Sequence, residues 1–123
     1  IPETDREKQF VERLTFEAVL TSLERHAGHL RYFYTASGKK TVAEGKDLTA
    51  IQYIIGTGGA LTRLPNKKQI LEAVKLYGKE QELYPTSAAK VLIDEDYILS
   101  SLGVLSKSYR EDALRLMKKS LRI

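Results

Sequence analysis

Apolar residues near the start of the chain return every three or four positions, at Phe10, Val11, Leu14, Ala18, Val19 or Leu20, and Leu23. That period places them on one side of a helix and predicts a long one with a broad apolar face. Thr4 with Glu7 forms a capping-box pattern at its start, and Gly28 after His26-Ala27 reads as a left-handed cap at its end. The period then changes to two. Residues 30–35 (LRYFYT) and 40–44 (KTVAE) flank Ser37-Gly38, which predicts a β-hairpin. Residues 51–55 (IQYII) read as a buried strand, broken by Gly56-Thr57-Gly58-Gly59. Helical spacing resumes over 67–77 and stops at Gly78, and Leu83-Tyr84-Pro85 is a loop. Residues 90–93 (KVLI) form a second short buried strand, followed by helices over 97–105 and 110–121. The order is helix, hairpin, strand, helix, strand, helix, helix. The expected class is α/β: a small mixed sheet with a parallel βαβ core and flanking helices.

Composition adds boundaries to this picture. The chain has 123 residues, 42% apolar and 29% charged, which suits one domain over residues 1–123. No run of about 18 apolar residues occurs, so no membrane partner is expected. With no cysteine there are no disulfides and no thiolate chemistry, which fits a cytoplasmic location. The chain begins Ile1-Pro2-Glu3 without Met, as a fragment or a processed product would. The net charge is +4, but its basic residues are dispersed apart from the pairs Lys39-Lys40, Lys67-Lys68 and Lys118-Lys119. No arginine stripe interleaves with aromatics, so the charge reads as solubility and nucleic acid is not an expected partner.

The glycine turn carries the chemistry. Gly56, Gly58 and Gly59 leave backbone N–H groups unshielded and allow close approach to the main chain. A helix start beyond them would add partial positive charge. Such a turn suits a phosphate, a ribose or an adenine ring, and it equally suits a tight strand-to-helix connection with no ligand. Two phosphate motifs are excluded. The dinucleotide fingerprint would need glycine at Leu61, and the P-loop would need a terminal Gly-Lys-Ser/Thr.

Other candidates are weaker. Asp94, Glu95 and Asp96 precede a helix, where capping is favoured over metal or acid–base roles. His26 and His29 are three apart without a nearby third ligand. Tyr32, Phe33 and Tyr34 alternate across the hairpin and read as packing residues. No nucleophile–base pair or metal set is visible, so no catalytic residue is assigned.

The stretch from Ile54 to Pro65 (IIGTGGALTRLP) resembles the adenosine motif of the superfamily of actin, sugar kinases and heat-shock chaperone ATPases. Val91-Leu92-Ile93-Asp94-Glu95-Asp96-Tyr97, with Ser101-Leu102-Gly103-Val104, resembles its connecting segment and terminal helix, where a small residue permits close helix contact. Together with Glu44-Gly45-Lys46-Asp47-Leu48-Thr49, these stretches are similar to the MutL/GlmL family. Its members are encoded with adenosylcobalamin-dependent glutamate mutase and ornithine aminomutase, and they are unrelated to the mismatch-repair MutL. The resemblance implies half of a ribonuclease-H-like, actin-type ATPase subdomain, the C-terminal part of a longer protein. It implies a chaperone-like ATPase that maintains or reactivates the aminomutase, with ATP or ADP and Mg²⁺ as cofactors of the full-length protein. This chain would hold only the adenosine side. Its site residues would be Gly56, Thr57, Gly58, Gly59, Ala60 and Arg63, the arginine standing one residue beyond where chaperone relatives stack one on adenine. The implied partners are the remainder of its own chain, the aminomutase and a second copy in a homodimer. A protein-interaction module without nucleotide binding is the alternative.

Overall fold

The computed structural model describes residues 2–123. Helix α1 (Asp5–His26) opens with the expected capping box: the Thr4 side chain accepts from the Glu7 amide, and the Glu7 carboxylate accepts from the Thr4 amide. Strands β1 (His29–Thr35) and β2 (Gly38–Glu44) form the antiparallel hairpin, in a register that pairs His29 with Glu44 and Thr35 with Gly38. Strand β3 (Tyr53–Gly56), helix α2 (Gly59–Arg63), helix α3 (Lys67–Lys75) and strand β4 (Lys90–Ile93) follow. Helices α4 (Leu99–Leu105) and α5 (Arg110–Leu121) complete the chain. Strands β3 and β4 are parallel, as the βαβ reading requires, with Tyr53 opposite Lys90 and Gly56 opposite Ile93.

The strands do not join in one mixed sheet. The hairpin and the parallel pair are two separate two-stranded sheets among the described residues. The hairpin closes through its own local turn. It meets the rest of the chain through single bridges, Ala27 to Lys46 and His29 to Glu82.

The core lies on one face of β3 and β4. Leu71 of α3 packs with Val91 and Ile93 of β4, and Val19, Ile54 and Leu61 close around them. Phe16 of α1 meets Tyr77 edge to face, with ring centroids 5.8 Å apart. The opposite face holds Tyr53, Ile55 and Lys90, all exposed, beside half-buried Leu92. Strand β3 is therefore only half covered, where a buried strand was expected. Along α1 the apolar face is also covered in part: Leu20 is buried, whereas Phe10 and Leu14 are exposed.

Two glycines act differently from their sequence reading. Gly28 is not a left-handed cap, since α1 ends at Ala27 in an extended conformation. A Cβ on Gly28 would lie 2.5 Å from the carbonyl oxygen of Glu44, because the chain leaving β2 crosses over it. Gly103 was expected to admit a close helix contact, yet a Cβ there would meet nothing within 4 Å. It faces an apolar groove of about 310 Å³ between α4 and α5, lined in part by Leu102, Ala113, Leu114 and Met117. The hairpin aromatics are a further departure. Tyr32, Phe33 and Tyr34 are exposed, Tyr34 by 83%, and Lys39 lies over the Tyr32 ring at 3.7 Å.

Candidate functional site

Strand β3 delivers the chain into the turn, and Asp94 holds its end there by donating its backbone N–H to the carbonyl of Gly56 at 2.9 Å. Gly58 follows with φ +102°, a conformation that a residue with a Cβ adopts at a cost. The three glycines divide by surroundings. A Cβ on Gly56 would stand 2.6 Å from Leu71 Cδ1 and 3.1 Å from Ile93 Cδ1, so Gly56 lets the strand end pack on the core. Gly58 and Gly59 have open space where a side chain would go. Their main chain is therefore accessible to another group.

The helix that directly follows the turn is the short α2, and the helix expected over 67–77 is α3 beyond it. Pro65 disfavours helical geometry at Leu64, which is extended, and so separates α2 from α3. Only five residues of helix adjoin the glycines, and the summed helix dipole expected there is correspondingly small.

A groove of about 370 Å³ runs beside the turn. Gly59, Ala60, Arg63 and Leu64 line one side, and Lys8 and Val11 of α1 line the other. Its surface is mainly apolar with two cationic side chains at hand, a combination suited to a flat ring with polar edges. Among the six residues assigned to the site from sequence, Gly59, Ala60 and Arg63 reach this groove and Gly58 leads into it. Gly56 faces the core, and Thr57, an exposed residue, directs its hydroxyl inward.

The Thr57 hydroxyl donates to Asp94 Oδ2 at 2.8 Å. Asp94 is fully buried and is the centre of a larger cluster. Its carboxylate also accepts from the Ser120 hydroxyl at 2.5 Å and from the amides of Ile98 and Leu99 at 3.2 and 3.0 Å. Burial alone would raise its pKa. The bonds from Ser120, Leu99, Thr57 and Ile98 outweigh that effect and hold the carboxyl below its ordinary range. The capping role foreseen for this acidic run thus falls to Asp94. Glu95 instead pairs with Lys67 at 2.5 Å, and Lys67 also donates to the Thr62 carbonyl at 2.9 Å. Asp96 lies 3.4 Å from Arg122. His29 faces Glu44 at 3.6 Å and His26 faces Lys46, and the described residues contain no group of three metal-type ligands.

A model of the family described as MutL protein matches residues 1–121. The chain belongs to the MutL protein family. This is the family of the resemblance above and not the mismatch-repair protein of the same name. Among curated proteins, the chain is 35% identical over 121 residues to Protein MutL of Clostridium tetanomorphum. The match covers 98% of this chain and 26% of that relative, so the chain spans about a quarter of the MutL relative's length. No solved structure matches it.

Within this MutL stretch, the structure adds participants that the sequence reading passed over. Lys8 and Val11 form the far wall of the groove because α1 packs along α2 and α3. In sequence they belong to an ordinary amphipathic helix, and no local signal marks them. Ser120 lies in the last turn of α5 and is fully buried, a polar residue among Ala113, Leu121 and the strand end. A serine on the apolar side of an amphipathic helix was the available clue.

Proposed function

We propose that this chain is the adenosine-binding side of the nucleotide cleft in a chaperone-like ATPase, one that maintains an adenosylcobalamin-dependent aminomutase. The observation that supports it most is the accessible main chain at Gly58 and Gly59 opening onto the groove with Ala60 and Arg63. The glycines admit a flat ligand against the peptide plane, the apolar walls shelter a base, and Arg63 and Lys8 offer cation–π or polar contacts at its edges. Residues that hold phosphates and Mg²⁺ would come from the rest of a longer protein, and they would supply most of the affinity.

The parallel pair supports the same reading. Two parallel strands with one covered face are an uncommon free-standing unit, since parallel sheets are normally wider and covered on both faces. We infer that β3 and β4 continue into a ribonuclease-H-like sheet built with strands from elsewhere in the protein. The open groove at Gly103 would then receive a helix of that other part.

Calorimetric titration of the full-length protein with Mg-ATP tests the function. Binding that Gly59→Val abolishes is the expected result. An absence of binding, or binding indifferent to that substitution, overturns the nucleotide reading.

The exposed aromatic hairpin favours a second reading, a docking module for the aminomutase. It predicts that the chain captures purified mutase without ATP and that Phe33→Ser with Tyr34→Ser releases it.

A further inference from the structure

Asp94 touches the glycine turn with all of its polar groups. Its amide donates to the Gly56 carbonyl at 2.9 Å, its carboxylate accepts from Thr57 at 2.8 Å, and its carbonyl accepts from the Thr62 hydroxyl at 3.2 Å. Gly56 and Thr57 precede Gly58 and Gly59, and Thr62 follows them. One buried residue thus grips the turn on both sides. The same carboxylate binds Ser120 of α5 and the amides of Ile98 and Leu99 at the start of α4. The Glu95 amide adds a bond to the Ser120 carbonyl at 3.2 Å, and the Asp96 amide one to the Ser120 hydroxyl at 3.1 Å.

From this arrangement we infer that Asp94 is the positioning residue of the ligand turn and that, through Ser120, it couples the placement of α5 to that turn. The functional part of the inference rests on the nucleotide reading above. Asp94 lies behind the turn and does not line the groove, so it acts through Thr57 and Thr62. The carboxylate suits this task. Ionised, it is acceptor-only, with room for several donors at once, and it receives four from three separate segments. Thr57 is then required for its hydroxyl and not for contact with a ligand. A rotation of α5 that withdrew Ser120 would leave the carboxylate short of a donor and loosen its hold on Thr57.

Asp94→Ala would strand several buried donors and unfold the region, so the test changes the donors on either side. In the full-length protein, calorimetry with Mg-ATP compares Thr57→Val, Thr57→Ser, Ser120→Ala and the Thr57→Val/Ser120→Ala pair. Loss of one hydrogen bond to a charged group predicts affinity about tenfold weaker in Thr57→Val, with recovery in Thr57→Ser. Ser120→Ala weakens binding as well, and the pair loses less than the product of the single losses. Native affinity in Thr57→Val, or equal loss in Thr57→Ser, overturns the inference. A second measurement separates its failure from that of the nucleotide reading. Without ligand, the amide resonances of Gly58 and Gly59 shift in Ser120→Ala and stay in place in Ser106→Ala. Shifts there support the coupling even if Mg-ATP does not bind, and unmoved resonances overturn it.

Discussion

The Lys75 side chain, 5% exposed, donates to the carbonyl of Ala89 at 2.7 Å and ties the last turn of α3 to the residue before β4. It also pairs with Glu72 at 2.6 Å. Lysine seldom lies this deep without such partners. Here the bond anchors the loop after α3 at the point where it rejoins the sheet next to β4.

Lys75→Met keeps the stem and removes the donor. It leaves the Ala89 carbonyl unpaired at a cost of about 2 kcal/mol. Urea denaturation measures this as a lower midpoint with an unchanged slope.

The glycines of the turn separate stability from binding. Gly56→Ala forces a methyl against Leu71 and Ile93 and costs about 1–3 kcal/mol. Gly59→Ala meets nothing within 4 Å and leaves stability within about 0.5 kcal/mol of native. If a nucleotide packs on this peptide, Gly59→Ala weakens Mg-ATP binding while the melting temperature holds. Paired melting and calorimetry on the two variants read out both effects.

Asp94 makes folding sensitive to acid. Its folded pKa is below the unfolded value, so its stabilisation is complete above about pH 4 and declines as pH falls through the folded pKa. Native protein is therefore more stable than Asp94→Asn at neutral pH, and the gap narrows under acid. Denaturant midpoints from pH 7 down to about 2 follow that convergence.

Tyr84 behaves in the opposite sense at alkaline pH. Burial, then the charges of Glu82 and Glu24, push its phenol up to about 12. The neutral phenol is the form the fold accommodates, so its contribution is intact below about pH 10 and lost as pH rises through 12. Near-ultraviolet difference spectroscopy shows a late tyrosinate step that Tyr84→Phe removes.

Elements specified by local spacing were legible. Strand β4 at Lys90–Ile93 and helix α5 at Arg110–Leu121 have the bounds expected, as does the capping box, and the hairpin is present with its second strand starting at Gly38, two residues earlier than expected. Features set by distant contacts were not. Gly28 is explained by a backbone crossing near residue 45, invisible to a reading of its neighbours. The helix after the glycines was foreseen only from Lys67, and α2 was missed because five residues are too few to show a period. Periodicity also reports which side chains share a face, and not whether anything covers it. That is why Tyr34, Ile55 and Leu14 were expected inside and are exposed. At the site, glycine spacing pointed to the turn. It could not reveal that Thr57 faces Asp94, since their contact spans 37 positions.

Gly28 and Gly45 nearly touch: a Cβ on Gly45 would lie 2.8 Å from the Gly28 Cα, and the Gly28 amide bonds the Lys46 carbonyl at 2.7 Å. The hairpin therefore leaves and re-enters the rest of the chain through one narrow gate, with its base also held at His29 and Leu30. Closing such a gate costs entropy that grows only slowly with the length of the excursion. Beyond the bonds that His29 and Leu30 make to the 81–82 segment, the outer part of the hairpin is a cassette: it can lengthen, shorten or be exchanged while the scaffold bearing the glycine turn is little disturbed. Evolution can use this to change what the arm touches, and protein engineers can use it to graft a different arm in its place.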